Sequence, residues 1–205
     1  MCLSGHLRSA TVCFNPRLLP LPRLLRKWPM LEKYFLIGAV LVASAGAVSD
    51  SRNARIPNWL TYSGLSAALV FRFAVLGWIG LKSGAIGMLV AGGIFFGLFV
   101  MGAMGGGDMK LMAAVGAWVG SERVVTILLG AAFAGGFLAL VYIVFGRRGR
   151  QTLWNLWELI RFWLASGLRA HPALNVREAG SQRVPFGIAI AMATLYCAGN
   201  AIWWR

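Results

Sequence analysis

The chain has only two aspartates, Asp50 and Asp108, and they are the side chains best suited to carry out a reaction. Each lies at the end of a long apolar stretch, where an ionised carboxylate is costly because little water reaches it. Like charges a few ångströms apart do not both ionise easily, so two such carboxylates brought together share one proton. One then acts as a base that activates water, and the other as an acid that protonates a peptide carbonyl or a leaving amine. The pair therefore predicts the chemistry of an aspartic protease.

The residues around Asp108 are consistent with an extended peptide substrate. Gly105, Gly106 and Gly107 precede the acid and carry no Cβ atoms, so a substrate backbone could approach closely. A flexible hinge between two helices would explain the same three glycines equally well. Lys110 is expected either to extend towards the membrane surface or to meet an aspartate or an acidic group of the substrate. We therefore predict these three glycines and Lys110 as substrate-binding residues.

Each aspartate also has a purely structural interpretation. Aspartate is favoured at helix N-termini, so Asp108 could serve as a helix cap, alone or in addition to catalysis. Asp50 could instead pair with Arg52 or Arg55 at the membrane interface.

The composition predicts a polytopic membrane protein. Of the 205 residues, 59% are hydrophobic and only 13% are charged, whereas about a quarter of a soluble domain is charged. The net charge of +14 would suggest nucleic acid in a soluble protein, but here it indicates positively charged loops and contact with anionic lipid headgroups. The three cysteines show no metal-ligand spacing, which argues against a zinc site or a disulfide framework.

The apolar runs predict an all-α protein with about six transmembrane helices: 34–49, 59–80, 85–104, 111–119, 124–145 and 184–204. The fourth is too short to cross a bilayer, so it is either a short helix inside the bundle or a re-entrant segment. Asn58 is expected to cap the second helix. A tight connection is expected at Lys82-Ser83-Gly84. Arg72 lies deep within the second run and is expected to extend outward to the membrane surface.

The loop 146–183 is the only sizeable one, and its first half predicts an amphipathic helix in the membrane interface. This helix would be either a surface anchor or a platform that guides a substrate. With six spans, the loop falls on the same face as both aspartates, and that face carries ten lysines and arginines. The opposite connections carry only Lys82 and Arg123, so the aspartates are predicted to face the cytoplasm.

Three stretches resemble a known family: "DSRNARIPNWLT" (50–61), "GGGDMKLMAAVGAW" (105–118) and "RVPFGIAIA" (183–191). The first looks like an aspartate followed by a basic I-P-N turn, the second contains a GxGD motif, and the third is similar to a Pro-Gly signature that opens the last span. Together they resemble the type IV prepilin peptidases, which are GxGD-type aspartic proteases of bacterial membranes. The resemblance covers about residues 34–204.

This resemblance implies an endopeptidase of the bacterial inner membrane that removes the basic leader of prepilins or pseudopilins at the cytoplasmic face. Asp50 and Asp108 would be the catalytic pair, with no metal or other cofactor. The partners would be the prepilin substrate and the lipid bilayer, without nucleic acid. The small size resembles the short enzymes that process Flp-type (tight-adherence) pilins. Nothing matches the extra cytoplasmic domain of the longer members, so N-methyltransferase activity is not expected.

Two rival functions use the same acids. A small transporter or channel could use them as a proton relay, but such a protein would more plausibly show internal repeats and acids near mid-membrane. An intramembrane protease of the presenilin kind shares GxGD, but it lacks the I-P-N turn that follows Asp50 here.

Two regions are predicted from the change in composition near Met30. Residues 1–29 are basic and rich in proline, and we expect them to be a disordered extension or to precede the true start at Met30. Residues 30–205 form the predicted membrane-embedded peptidase domain. A translated extension would place five more cations on the outer face, which the positive-inside rule disfavours.

Overall fold

A computed structural model describes residues 29–53, 56–145, 154, 157–158, 161 and 186–203. Four helices account for nearly all of them: α1 (Pro29–Asn53), α2 (Asn58–Val100), α3 (Gly106–Phe145) and α4 (Phe186–Trp203). The first three are long and apolar enough to cross a membrane, while α4 is a shorter apolar helix. This confirms an all-α membrane protein. The predictions for residues 1–28, and for most of the loop 146–183, lie outside the described residues.

Two of these helices are interrupted by glycines in backbone conformations that other residues rarely adopt. Gly77 within α2 has φ 61° and ψ −148°, and Gly120 within α3 has φ 69° and ψ −176°. Glycine tolerates this region because it has no Cβ atom. A straight helix of 43 residues would measure about 65 Å, roughly twice the hydrocarbon thickness of a bilayer. The breaks therefore allow the chain to stay within the dimensions of a membrane.

The contacts between α2 and α3 run in opposite order on the two sides of Gly77. Before the break, later residues of α2 meet later residues of α3: Asn58 meets Lys110 and Gly64 meets Trp118. After the break the order is reversed: Gly84 lies beside Ala117, Gly92 beside Ala113 and Phe99 beside Gly106. The two halves of α2 therefore run in opposite directions along the same stretch of α3.

Gly120 reverses α3 in the same way. Before it, α3 lies against α1, with Leu111 next to Gly46 and Trp118 next to Gly38. After it, α3 lies against α4, as shown by two pairs of neighbours: Gly130 with Ala193, and Gly135 with Phe186.

The predicted turn at Lys82-Ser83-Gly84 is wrong, because these residues are helical and the break comes earlier, at Gly77. The polar and small residues that suggested a turn have another role. Ser83 and Gly84 are buried, and Gly84 lies close to the side chain of Arg72. Local composition predicted a loop here, but these residues serve a contact within the bundle: Gly84 leaves room for the Arg72 side chain, and Ser83 supplies a hydroxyl to it.

Arg72 is the largest fully buried side chain among the described residues, with 1% of its surface exposed. The prediction that it extends outward is therefore wrong. Its Nε and Nη2 donate to the carbonyl oxygen of Trp118 at 3.2 and 3.0 Å, and its Nη1 donates to Ser83 Oγ at 3.0 Å. The ring of Phe35 lies 4.6 Å from the guanidinium carbon. Burying this cation is possible because its donors are occupied.

The break at Gly120 explains why Arg72 is needed. At a helix break, the last carbonyls before the break and the first N–H groups after it have no hydrogen-bond partner within the helix. The carbonyl of Trp118 is one of these groups. Arg72 supplies the carbonyl with two donors, and Ser83 Oγ accepts from the backbone N–H of Ser121 at 3.1 Å. Ser83 also donates to Glu122, and Glu122 Oε2 lies 3.8 Å from Arg72 Nη2. We call Arg72, Ser83, Trp118, Ser121 and Glu122 the arginine cluster.

An ion pair lies beside the arginine cluster. Arg123 pairs with Glu32 in the first turn of α1, and both residues line a small cavity together with Arg72 and Glu122. Arg123 also interacts with Cys197 of α4. The ion pair therefore brings α1, the second half of α3 and α4 together at this end of the bundle.

Large apolar side chains cover the outside of the bundle, whereas small residues fill many of its helix contacts. Phe133 and Phe137 are 78% and 63% exposed, as expected for side chains that face lipid. Gly87 and Gly116 pack so closely that a Cβ on either would overlap the other's backbone. Close packing of small residues is how helices associate within lipid, where the hydrophobic effect gives them no mutual attraction.

Candidate active site

Asp50 and Asp108 meet at the end of the bundle opposite the arginine cluster. Asp50 lies three residues before the end of α1, and Asp108 lies in the first turn of α3. Both side chains are partly buried, and the charge of Asp50 acts directly on Asp108. The fold thus brings together two carboxylates that are far apart in the sequence.

Asp108 is held by the start of its own helix. Its carboxylate accepts a hydrogen bond from the backbone N–H of Gly105, and Asp108 Oδ2 lies 3.4 Å from where a Cβ of Gly105 would be. The side chain therefore reaches back over the helix N-terminus, as acidic residues in the first turn often do. Asp108 is the third residue of α3 and not its N-cap, so it stabilises the helix start from within the first turn.

Asp50 is held by a different helix. Its Oδ2 accepts a hydrogen bond from the backbone N–H of Gly187 at 3.1 Å. Gly187 is the second residue of α4 and lies in the stretch "RVPFGIAIA". The sequence interpretation treated this stretch only as part of a resemblance and missed it as part of the site. Its signal was a glycine near the start of a helix, which also occurs for many other reasons.

The three glycines before Asp108 have different surroundings. Among the described residues, a Cβ on Gly105 would meet Asp108 alone within 4 Å, whereas one on Gly106 would lie 3.2 Å from the ring of Phe99. A Cβ on Gly107 would lie 3.2 Å from Cβ of Ile56. Packing within the protein is therefore sufficient to account for Gly106 and Gly107. Their predicted contact with a substrate stays a prediction.

Lys110 connects α3 to the turn that follows α1. Its Nζ donates to Asn58 Oδ1 at 2.8 Å and lies 5.2 Å from the ring centre of Tyr62. Asn58 makes no capping hydrogen bond; the residue at the cap position of α2 is Pro57. The prediction that Asn58 caps this helix is therefore wrong, because its side chain is used across the site. The substrate-binding role of Lys110 stays a prediction.

The three quoted stretches thus meet in space. The I-P-N turn makes two contacts with the start of α3. Ile56 packs against the glycine segment, and Asn58 accepts a hydrogen bond from Lys110. The Pro-Gly stretch contacts Asp50 through Gly187. Four residues of the predicted interfacial helix are described, and all of them are helical and exposed: Trp154, Trp157, Glu158 and Arg161.

A sequence model of the Type IV leader peptidase family matches residues 35–140, slightly more than half of the chain. The chain belongs to this family. Searches among curated proteins and among solved structures returned no match. The matched region contains Asp50 and Asp108, whereas Gly187 lies outside it. Membership in the leader peptidase family, together with the apolar helices, makes this chain a membrane peptidase that acts on a protein substrate.

Proposed function

We propose that this member of the leader peptidase family is an aspartic endopeptidase that removes the basic leader from Flp-type prepilins or pseudopilins at the cytoplasmic face of the bacterial inner membrane. The observation that carries the proposal is that the fold places Asp50, near the end of α1, beside Asp108 in the first turn of α3. Like charges are costly to bring together at the edge of a membrane, and such an arrangement is typical of groups that must exchange protons.

The proposed reaction uses the two carboxylates in complementary forms. The ionised one takes a proton from a water molecule while the water oxygen attacks the carbon of the scissile peptide bond. The protonated one gives its proton to the carbonyl oxygen. The carbon–nitrogen bond of the tetrahedral intermediate then breaks, and the leaving nitrogen receives a proton from the pair. The products are a free carboxyl group on the leader and a free amine on the mature protein.

The topology is proposed to have six passes. The reversals at Gly77 and Gly120 support this number, because each divides a helix too long for one pass into two antiparallel halves. The excess of lysine and arginine on the face of the aspartates supports the cytoplasmic orientation. A prepilin leader that reaches this face could enter the site without crossing the membrane.

Co-expression with a Flp-type prepilin tests the proposal. Wild type should shorten the prepilin, whereas Asp50→Asn and Asp108→Asn should each abolish processing, because an amide keeps the shape but neither takes nor supplies the proton. Lys82→Gln, which removes a charge from an exposed residue far from the site, should process normally. Near wild-type cleavage by either aspartate variant would refute the pair. Cleavage only of prepilins of other types would refute the Flp assignment.

A further inference from the structure

Gly187 touches Asp50 directly although it lies 137 residues later in the chain. Its N–H belongs to the first turn of α4, where backbone donors have no partner within the helix. Such donors are oriented towards whatever anion lies beyond the helix end, and the partial positive charge there strengthens the interaction. Here that anion is the carboxylate of Asp50.

The absence of a side chain at position 187 has a local reason. A Cβ there would lie 3.1 Å from both Cβ and Oδ2 of Asp50, and 3.3 Å from Cα of Ala47. Gly187 is not among the glycines with positive φ, so its backbone conformation does not require glycine. Glycine within a helix costs about 1 kcal/mol relative to alanine. The close approach to Asp50 accounts for keeping it.

We propose that Gly187 is a positioning residue: its backbone N–H and its bare Cα hold the Asp50 carboxylate where it can react together with Asp108. The proposal rests on the proposed function, since it assigns a partner to one of the two acids. It also gives α4 a part in the site, as the helix whose N-terminus fixes Asp50.

Kinetics with a purified prepilin substrate test this role. Gly187→Ala should lower kcat by up to about 10-fold, because Asp50 must move by a few tenths of an ångström to admit the Cβ, and misplacing a reacting group by about 1 Å costs roughly 100-fold. KM should stay within about twofold, since Gly187 is not proposed to contact the substrate. The matched control is Gly199→Ala on the same helix, where a Cβ would meet none of the described residues within 4 Å, and its kcat should equal that of wild type.

A second variant separates positioning from folding. Replacing the amide at position 187 by an ester, through incorporation of glycolic acid, deletes the N–H donor and adds no side chain. Its kcat should fall while its melting temperature in detergent stays close to that of wild type. The same exchange at position 199 should leave kcat unchanged.

Wild-type kcat in the ester variant would overturn the proposal, and so would wild-type kcat in a folded Gly187→Ala protein. A rise in KM with kcat unchanged would also overturn it, since that would place Gly187 in substrate binding. If wild type fails to cleave prepilins, or if Asp50→Asn still cleaves them, it is the proposed function that fails.

Discussion

The two ends of the bundle each hold a group of charged side chains, and the groups differ in how their charges are paired. In the arginine cluster, a cation, an anion and two hydroxyls satisfy one another and the broken backbone of α3. At the other end, two carboxylates lie near each other, and among the described residues Asp108 accepts from the backbone N–H of Gly105 and Asp50 from that of Gly187. Opposite charges with complete hydrogen bonding stabilise a fold, whereas like charges held together raise its free energy.

This contrast supports the proposal that the aspartates are the reactive groups and the arginine cluster is structural. Among the described residues, no buried side-chain nitrogen or oxygen lacks a hydrogen-bond partner. Missing hydrogen-bond partners therefore do not distinguish the aspartate end of the bundle from the arginine cluster. The two ends differ in the sign of the neighbouring charge, because Asp108 has another carboxylate beside it whereas Arg72 has Glu122. Groups that a fold holds in an unfavourable electrostatic environment are characteristic of functional sites.

The largest effect on stability is expected from Arg72→Met. The change deletes the donors to Trp118 and Ser83 and leaves Glu122 without its cation, so the loss should be about 3–5 kcal/mol. Thermal unfolding in detergent measures it as a large fall in melting temperature. Lys82→Met, an exposed cation of the same region, is the control and should melt like wild type. Equal melting temperatures for the two variants would contradict the structural role of the cluster.

A matched pair of acid-to-amide changes should separate the two ends. Glu122→Gln weakens the interaction with Arg72 and should cost about 1–3 kcal/mol. Asp108→Asn removes a repulsion and should leave the melting temperature unchanged or slightly raised. Melting curves of the two variants, recorded in the same detergent, compare them directly. A fall for Asp108→Asn as large as that for Glu122→Gln would show that the aspartate end is also held together by its charges.

The smallest effect is expected at the contact between Lys110 and Asn58. The contact is exposed, and such surface interactions contribute about 1 kcal/mol or less. A double-mutant cycle of Asn58→Ala and Lys110→Met should give a small coupling in unfolding free energy, whereas Asn58→Asp should keep the contact because a carboxylate oxygen also accepts from Lys110. Strict additivity would mean that the two side chains do not interact.

Features that depend on nearby residues could be predicted from the sequence. Hydropathy located the apolar segments that form the described helices, and the predicted hinge at glycines 105–107 lies where α3 begins. The juxtaposition of Asp50 and Asp108 was also expected, because both lie at ends of apolar runs on one predicted face.

The errors come from contacts between distant parts of the chain. Arg72 was expected to reach the membrane surface because its partner, the Trp118 carbonyl, is a backbone group 46 residues away that only a helix break exposes. Asn58 was predicted to be a cap because it lies at the start of an apolar run. Its hydrogen bond with Lys110, 52 residues away, cannot be inferred from the neighbouring residues. A backbone donor such as that of Gly187 leaves no side-chain signature at all.

The break at Gly120 also bears on how the chain is assembled during synthesis. The part of α3 before Gly120 is about 21 Å long as a helix, shorter than the roughly 30 Å hydrocarbon layer. The Trp118 carbonyl near its end accepts hydrogen bonds from Arg72, and the N–H of Ser121 after the break donates to Ser83. Arg72 and Ser83 belong to α2 and therefore leave the ribosome first. When the short segment enters the bilayer, the groups that shield its backbone from lipid are already in place.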